Sequence, residues 1–486
     1  MSTQTNARRG LTNLTPVKVI HILISLAIMF FFRFLPAPEP MTPLGIEVIG
    51  IFLGMLYGWL IANDSFWPSI MGLIFLGLSS YTTVSAVFTS GFGNNTVLLI
   101  FFFYAFTNII NAAGITDYIA RWMVSRKFVQ GKPYRLTLMI FLAMCVLVIM
   151  VSATAATMVI FPIIKQISKV YDIKPGEKWP AITLAGTVFI GCTAYMLLPF
   201  KSLPAVIFSN YAELSGVEIS IAPYIAIVIA MTATTILLVL AYMKFIAKPD
   251  VSKIANSTNA LEELPKLTGN QKFILGFFVV IVLLMLFPSF VPKTFFLSKL
   301  LNDIGATGIL AAGIAVYLML QLKEGISPLD MFSKGMGWSI IFILAAALSI
   351  AGAITAEETG ITPWLVNIIT PIVQGKSAII FTAIICVLAC VITNLANNVA
   401  TAAMLTPIIY TIGLACGANT MALVICMMFG CNIGLATPPA SSPSAIIHGD
   451  KEWIPGNSAV TYGIIFSVIN LILILLVAFP MGNIMF

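Results

Sequence analysis

The sequence GCTAYMLLPFKSLPAVIFSN at residues 191–210 returns in divergent form as GCNIGLATPPASSPSAIIHG at residues 430–449. Aligned without gaps, the two segments share Gly191/Gly430, Cys192/Cys431, Pro199/Pro438, Ser202/Ser441, Pro204/Pro443 and Ile207/Ile446. A second pair lies upstream, SATAATMVIFPII at 152–164 and NNVATAAMLTPII at 397–409. The pattern indicates a duplication with a proline-broken apolar helix in each half. Apolar segments interrupted by glycine and proline at corresponding positions of two halves are typical of the binding site of a secondary transporter.

The composition indicates a membrane protein. Of the 486 residues, 59% are hydrophobic and only 9% are charged, and the mean hydropathy is +1.03. Such a surface is stable in a bilayer and not in water. The apolar runs long enough to cross about 30 Å of hydrocarbon are residues 18–35, 44–62, 66–82, 94–113, 180–210, 220–246, 272–291, 302–322, 335–355, 418–447 and 459–484.

Two further apolar stretches, residues 135–165 and 376–412, are predicted to be re-entrant hairpins. Each is too long for one simple helix and has small polar residues at its centre, followed by a proline. Irregular backbone at membrane depth is tolerated where it is buried in protein or lines a cavity. The predicted fold class is therefore an all-α polytopic membrane protein, with about 11 transmembrane helices plus two re-entrant helical hairpins in an inverted repeat.

The basic residues predict the orientation in the membrane. With a cytoplasmic N-terminus and re-entrant hairpins, most of the 25 Lys and Arg residues fall on the cytoplasmic side, as the positive-inside rule expects. The net charge of +7 is then a topology signal, and it does not indicate nucleic-acid binding. We predict an integral plasma (inner) membrane protein with an extracytoplasmic C-terminus.

The same layout predicts the division of the chain. Residues 1–17 form a disordered cytoplasmic tail, and residues 248–272 form a cytoplasmic linker. The first repeat half, 18–247, contains the hairpin 135–165 and the broken helix 180–210. The second half, 273–486, contains the hairpin 376–412 and the broken helix 418–447. The segments AAGITDYIARW (112–122) and ETGITPWLVNI (358–368) share Gly-Ile-Thr at the end of a span. In the predicted topology they lie on opposite sides of the membrane, so the two halves have opposite orientations.

From about residue 18 to its end the sequence resembles the divalent anion/sodium symporters, which carry dicarboxylates, tricarboxylates or sulfate. In that family each hairpin tip typically has Ser-Asn-Thr, and each broken helix has Thr-Pro-Pro. The resemblance implies one sodium ion for each repeat, with the substrate carboxylates shared between the repeats. It also implies a homodimer in which a transport domain moves against a scaffold, and no organic cofactor.

The second repeat keeps most of this motif. Asn397-Asn398-Val399 retains the central asparagine, and Thr437-Pro438-Pro439 is intact. By resemblance, Thr393 and Ala396 stand at upstream ion-ligand positions, so the predicted sodium site is Thr393, Ala396 and Asn398. Hydroxyl, amide and freed carbonyl oxygens are suitable ligands for a hard monovalent cation.

The first repeat departs from the motif. Ser152-Ala153-Thr154 lacks the central asparagine, and Leu198-Pro199-Phe200 replaces Thr-Pro-Pro and is followed by Lys201. An ionisable residue inside a span is by default a functional-site candidate. We hypothesise that the Lys201 ammonium takes the place of the first sodium ion. The predicted substrate contacts are Ser152, Thr154, Lys201, Asn397, Asn398, Thr437 and Pro438.

These residues predict a secondary active transporter of small divalent or trivalent anions, with dicarboxylates such as succinate or malate favoured. Two modes of coupling are compatible with the sequence: symport with one sodium ion fewer than a full symporter of this family, and sodium-independent anion exchange. An anion channel that uses Lys201 is a third alternative. Each of these residues also has a purely structural interpretation. Lys201 could snorkel to a membrane surface, the glycine and proline pairs could serve helix packing, and Asn397 and Asn398 could form interhelical hydrogen bonds. An enzyme is disfavoured, because the sequence has two histidines and no catalytic motif.

Overall fold

The structure is a computed structural model of the chain from residue 15 onward. It describes residues 15–486 apart from 62–65, 256–265, 293, 321–325, 335, 362, 365–366, 369–377, 396–397, 416, 438–439 and 456. In these ranges the regular elements are helices, and no strand occurs among them.

The helices of the first half precede the linker at residue 256. They are α1 Pro16–Phe31, α2 Pro43–Leu60, α3 Phe66–Leu78, α4 Val84–Phe92, α5 Asn95–Ala112, α6 Ile115–Val124, α7 Pro133–Met150, α8 Ala153–Val170, α9 Lys178–Tyr195, α10 Ser202–Ser215, α11 Ile221–Ala241 and α12 Ser252–Ala255. α11 continues as a π-helix, Tyr242–Ala247.

The helices of the second half follow the linker. They are α13 Gly269–Leu286, α14 Phe296–Leu320, α15 Pro328–Ser333, α16 Trp338–Thr355, α17 Ala378–Leu395, α18 Asn398–Ala415, α19 Thr420–Cys431, α20 Ser442–Gly449, α21 Ser458–Leu473 and α22 Phe479–Met485. A π-helix, Ile474–Ala478, joins the last two.

Many of these helices are long and apolar enough to cross a membrane. Within the described ranges, 8 meet both criteria with at least 18 residues, and shorter apolar helices include Phe66–Leu78 and Thr420–Cys431. The prediction of an all-α polytopic membrane protein is confirmed. The domain boundaries and the re-entrant paths of the hairpins stay predictions, because helix bounds alone do not test them.

Both predicted hairpins contain a pair of helices. In the first, α7 ends at Met150 and α8 begins at Ala153, and the Ser152 hydroxyl caps α8 by accepting a hydrogen bond from the Ala155 amide at 3.2 Å. Such a cap satisfies one of the unpaired amides of the first helical turn. In the second, α17 is followed by α18, and the turn at 396–397 lies outside the described residues.

The two broken helices are interrupted at corresponding places. α9 ends at Tyr195 and α10 begins at Ser202, whereas α19 ends at Cys431 and α20 begins at Ser442. The breaks touch each other, because the side-chain amide of Asn432 donates a hydrogen bond to the Cys192 carbonyl. A direct bond between the repeats therefore lies at the point where both helices are interrupted.

The second half of each broken helix packs against the hairpin of the other repeat. α10 packs against α18, and α20 packs against α8. Lys165 and Asp450 form an ion pair of 2.6 Å at one contact. At the other, the Tyr211 and Tyr410 rings meet edge to face with centroids 5.6 Å apart. The two gapless alignments match Lys165 with Tyr410 and Asp450 with Tyr211, so the same pair of positions is in contact in both halves.

Replacing Asn432 by alanine is expected to destabilise the junction of the repeats. Asn432 is 5% exposed, and the variant leaves the buried Cys192 carbonyl without its donor, at a cost of about 1–3 kcal/mol. The thermal unfolding midpoint of the purified protein in detergent should fall. Asn483→Ala is the matched control, because the exposed Asn483 amide bonds only within its own helix to Phe479. Equal midpoints for the two variants would contradict the assignment.

Candidate ion and anion site

Oxygen atoms of the second hairpin converge on the second break. The Thr393 hydroxyl lies 2.7 Å from Asn398 Oδ1 and 2.5 Å from the Cys431 carbonyl oxygen. The Asn398 amide donates a hydrogen bond of 3.3 Å to the Asn432 carbonyl. Thr393 lies in the last turn of α17, Asn398 begins α18, Cys431 ends α19, and Asn432 directly follows it. Three helix ends thus bring hydroxyl, amide and carbonyl oxygens together, and we call this group the second-repeat oxygen cluster.

Gly434 leaves room for the oxygen cluster. A Cβ at this position would lie 2.9 Å from the Thr393 carbonyl oxygen, 3.0 Å from Asn398 Oδ1 and 2.8 Å from the Ala440 Cβ. Any side chain there would press directly on the oxygens. All the oxygens of the cluster are neutral, and freed carbonyls of interrupted helices are known ligands for sodium ions in transporters. Their arrangement is suited to a small monovalent cation.

Asn394 holds the extended segment that follows α19. Its Oδ1 accepts a hydrogen bond of 2.8 Å from the Ala436 amide, and its Nδ2 donates to the Cys390 carbonyl at 2.7 Å. The Thr437 hydroxyl donates to the Asn394 carbonyl. Thr437 is thereby tied to the hairpin end that carries Thr393. These bonds fix the irregular backbone that directly follows Cys431 and Asn432, whose carbonyls belong to the cluster.

Replacing Gly434 by alanine is expected to lower the apparent sodium affinity by roughly 10- to 100-fold, because the added Cβ displaces Asn398 Oδ1 of the cluster and the neighbouring Thr393 carbonyl oxygen. Contacts below 3.0 Å force a local shift of packing that typically costs about 1–3 kcal/mol. Sodium titration of tryptophan fluorescence in the purified protein measures the affinity. Gly276→Ala is the control, since Gly276 lies within α13 and a Cβ there meets nothing within 4 Å. An unchanged sodium affinity in Gly434→Ala would place the ion elsewhere.

The first break contains a buried lysine where the second contains oxygens. Lys201 is 1% exposed and immediately precedes α10. Its Nζ donates a hydrogen bond of 2.7 Å to the Val151 carbonyl oxygen, at the turn between α7 and α8. The Phe103 and Tyr195 rings flank the same nitrogen, with centroids at 4.7 Å and 5.0 Å. The side chain is directed at the tip of the hairpin and not at a membrane surface, which argues against a snorkelling lysine.

The alignments of the two repeats explain this difference. Thr393 and Asn398, which supply oxygens in the second repeat, correspond to Val148 and Ala153 in the first. Gly434 corresponds to Tyr195, and Ala440 corresponds to Lys201. The first repeat therefore lacks the side-chain oxygens of the cluster, fills the glycine space with a phenol ring and adds a cationic side chain. At its break, one repeat thus groups neutral oxygens, whereas the other places a lysine side chain.

A small cavity surrounds the lysine. It has a volume of about 10 Å³, enough for about one water molecule, and is lined by Ile100, Phe103, Tyr104, Thr107, Ser152, Tyr195, Phe200, Lys201 and Ser202. The Tyr195 and Ser202 hydroxyl oxygens lie 2.7 Å apart. Hydroxyl groups and one amine thus enclose a pocket that is too small for a dicarboxylate in this conformation.

A larger cavity reaches the first break from the end of α10. Its volume is about 470 Å³, and its lining includes the polar residues Asn95 at the start of α5, Glu218 between α10 and α11, and Asn302 within α14. Phe200 lines both this cavity and the pocket around Lys201. Phe200 therefore lies between the pocket around the lysine and the larger cavity.

The predicted residues fall into two groups. Ser152 and Lys201 share the small cavity, and Thr154 lies in the first turn of α8 beside them. Thr393 and Asn398 are hydrogen-bonded, and Thr437 is linked to them through Asn394. Ala396, Asn397 and Pro438 lie outside the described residues. The roles of all these residues in binding stay predictions.

Sequence reasoning missed Asn394, Asn432, Gly434 and Tyr195. A signal was present for two of them, since the gapless alignment pairs Tyr195 with Gly434. Replacement of a glycine by a tyrosine at matched positions indicates that one repeat has filled a space that the other keeps open.

The family model for the sodium:sulfate symporter transmembrane region matches residues 17–486 of this sequence. The chain belongs to this family. It is a divergent member, a transporter and not an enzyme, and an integral membrane protein with an all-α fold.

Two proteins with similar sequences are sodium-dependent dicarboxylate transporters named SdcS. The protein from Staphylococcus saprophyticus is 23% identical over 472 residues, which are 91% of this chain and 87% of that protein. The protein from Staphylococcus aureus strain USA300 is 22% identical over 478 residues, 94% of this chain and 89% of that protein. The similarity thus extends over nearly the whole of each chain.

Two solved structures share the fold at low sequence identity. The YdaH transporter of Alcanivorax borkumensis has a TM-score of 0.61 with 14% identity, covering 97% of this chain and 98% of that chain. MtrF of Neisseria gonorrhoeae, from a class of antimetabolite efflux pumps, has a TM-score of 0.59 with 13% identity, covering 96% and 95%. At these identities the likeness is one of fold alone.

Proposed function

We propose that the protein transports small dicarboxylates, such as succinate or malate, by alternating access. One sodium ion binds at the second-repeat oxygen cluster, and the Lys201 ammonium takes the place of a second ion. The observation that carries the proposal is the asymmetry of the repeats, with Thr393, Asn398 and Gly434 in one and Val148, Ala153 and Tyr195 in the other. The SdcS relatives, which are sodium-dependent dicarboxylate transporters, support the substrate class and the coupling ion.

The substrate carboxylates bind between the two breaks in this proposal. The N-termini of α8, α10, α18 and α20 begin at the hairpin tips and the breaks, and helix N-termini attract anions through unpaired amides and the helix dipole. Ser152 and Thr154 contribute hydroxyls from the first hairpin, and Asn397 and Asn398 contribute amides from the second. We propose Thr437 and Pro438 as further substrate contacts, with Lys201 contributed by the first repeat.

Sodium-independent exchange of dicarboxylates is the second candidate, and the burial of Lys201 favours it. A lysine that remains charged cannot leave with the substrate, so an empty carrier would have to move an unneutralised ammonium. Isolated charges are costly to hold in a low-dielectric environment. Such a carrier would reorient only when loaded with an anion, which is the behaviour of an obligate exchanger.

Orientation and assembly belong to the same proposal. The protein lies in the plasma (inner) membrane with a cytoplasmic N-terminus, and it forms a homodimer as the family resemblance implies. Modification of single cysteines placed at each terminus with a membrane-impermeant reagent tests the orientation. Mass measurement in detergent tests the dimer.

Uptake of labelled succinate into proteoliposomes tests the function. The assay compares vesicles with and without an inward sodium gradient, and with and without unlabelled dicarboxylate inside. Uptake that requires sodium and no internal anion supports the symporter. Uptake that ignores sodium and requires an internal dicarboxylate supports the exchanger, whereas non-saturable flux without counterflow supports an anion channel. Without uptake of succinate, the same assay with sulfate, citrate and tartrate decides the anion.

A further inference from the structure

None of the described residues that line the Lys201 cavity has an anionic side chain. The groups that face its Nζ are the Val151 carbonyl at the hairpin turn, Tyr195 from α9, and Phe103 and Tyr104 from α5. Ser152 and Ser202 add hydroxyls to the same cavity, and Cys192 lies one helical turn before Tyr195. Among the described residues that line this cavity there is no Asp, Glu, His or Arg. Besides Lys201, the polar side chains among the described lining residues are thus phenols and hydroxyls.

An ammonium group in this position is poorly compensated. It has three N–H donors, and the Val151 carbonyl accepts from one of them at 2.7 Å. Lys201 also immediately precedes α10, whose N-terminal dipole end repels a positive charge. The two flanking rings offer cation–π attraction, a modest effect. The charged form therefore depends on an anion that the described residues lining the cavity do not supply.

We infer that Lys201 binds and releases a proton during transport, so that one proton enters with each dicarboxylate dianion. This inference rests on the proposed function. As a carboxylate arrives on the open side, the Nζ lone pair forms a bond to a proton from hydronium or buffer. After the substrate leaves on the other side, the N–H bond breaks, the electron pair stays on Nζ and water takes the proton. The empty carrier then returns with a neutral amine.

The inference fixes the charge balance of the cycle. One sodium ion and one proton cancel the two negative charges of the substrate, so uptake is electroneutral. If Lys201 stayed charged throughout, a cycle with one sodium ion would move one net negative charge inward. An inside-negative potential of 100 mV would then lower accumulation by roughly 50-fold. Membrane potential therefore distinguishes a titrating lysine from a fixed one.

The experiment uses the full-length protein in vesicles loaded with a pH-sensitive dye, at equal sodium inside and outside. Potassium and valinomycin set the membrane potential, and the pH is kept between 7.5 and 8.5, where succinate is a dianion. The expected result for the wild type is internal acidification by one proton for each succinate, with an uptake rate that does not change with potential. Uptake without acidification, or uptake slowed by an inside-negative potential, would overturn the inference and leave dicarboxylate transport standing.

Two variants make the assignment specific to Lys201. In Lys201→Arg the side chain stays protonated, so the succinate that still enters should bring no proton with it, and its entry should slow when the potential is inside-negative. Lys165→Arg is the matched control, because Lys165 pairs with Asp450 away from the cavity, and its proton coupling should equal that of the wild type. Acidification that survives in Lys201→Arg would assign the proton to another group and overturn the inference.

A binding measurement on the wild type alone provides a second test. Succinate added to purified protein in weakly buffered detergent, at saturating sodium, should remove one proton from solution for each site filled. Binding with no proton uptake would overturn the inference without affecting the proposed function. Absence of both binding and uptake for every dicarboxylate would overturn the proposed function and the inference together.

Discussion

Asn398→Ala is expected to abolish sodium-driven uptake of the substrate at physiological sodium concentrations. The variant removes Oδ1 from the second-repeat oxygen cluster and the hydrogen bond of 3.3 Å from Nδ2 to the Asn432 carbonyl. An interaction between a neutral oxygen and a charged group contributes about 1.5–3 kcal/mol. The loss of one such ligand therefore weakens sodium binding by roughly 10- to 150-fold, before any effect of the lost hydrogen bond.

Sodium titration of labelled-succinate uptake measures this effect. The half-saturating sodium concentration should rise sharply in Asn398→Ala, whereas Asn483→Ala should behave as wild type because Asn483 bonds only within α22. Thr393→Val should act in the same direction as Asn398→Ala. Its control is Thr406→Val, since Thr406 is buried in α18 and donates only to the Ala402 carbonyl of its own helix. Sodium dependence that survives in both site variants would remove the ion from this cluster.

The fold and the general position of the site follow from the sequence because they depend on local pattern. Prolines and glycines at matched positions predict where apolar helices are interrupted, and the structure ends α9 at Tyr195 and α19 at Cys431. Lys201 was identified for a similar reason, since a lysine inside an apolar run is conspicuous. Both signals are readable without knowledge of any distant contact.

The details of the site depend on contacts between segments far apart in the sequence. Asn394 is recognised only when its Oδ1 meets the Ala436 amide, and Asn432 only when its amide meets the Cys192 carbonyl. In the sequence, nothing distinguishes either asparagine from other polar residues in apolar stretches. Their partners become apparent only in the packed structure. Similarly, the importance of Gly434 depends on oxygens that come from another hairpin. Pattern therefore locates the site, and tertiary packing decides its chemistry.

Lys201→Met is expected to lower dicarboxylate uptake by roughly 10- to 150-fold without destabilising the protein. In the proposed function the variant removes the charge that pairs with a substrate carboxylate, and a charge-assisted hydrogen bond of that kind contributes about 1.5–3 kcal/mol. Methionine is unbranched and apolar and fits irregular gaps, so the space between the Phe103 and Tyr195 rings stays filled. The Val151 carbonyl loses one donor, which is offset because no amine has to be held in a buried pocket.

Thermal unfolding in the absence and presence of substrate separates the functional role from a structural one. A substrate at 100 times its dissociation constant stabilises a protein by about 2.7 kcal/mol, so wild type should unfold at a clearly higher temperature with succinate and sodium present. In Lys201→Met the midpoint without substrate should be equal or higher, and the shift caused by succinate should disappear. A variant that unfolds early but still responds to succinate would show that Lys201 supports the packing of the break. Loss of the response with intact folding leaves anion binding as the reason that a lysine is retained where the other repeat has Ala440.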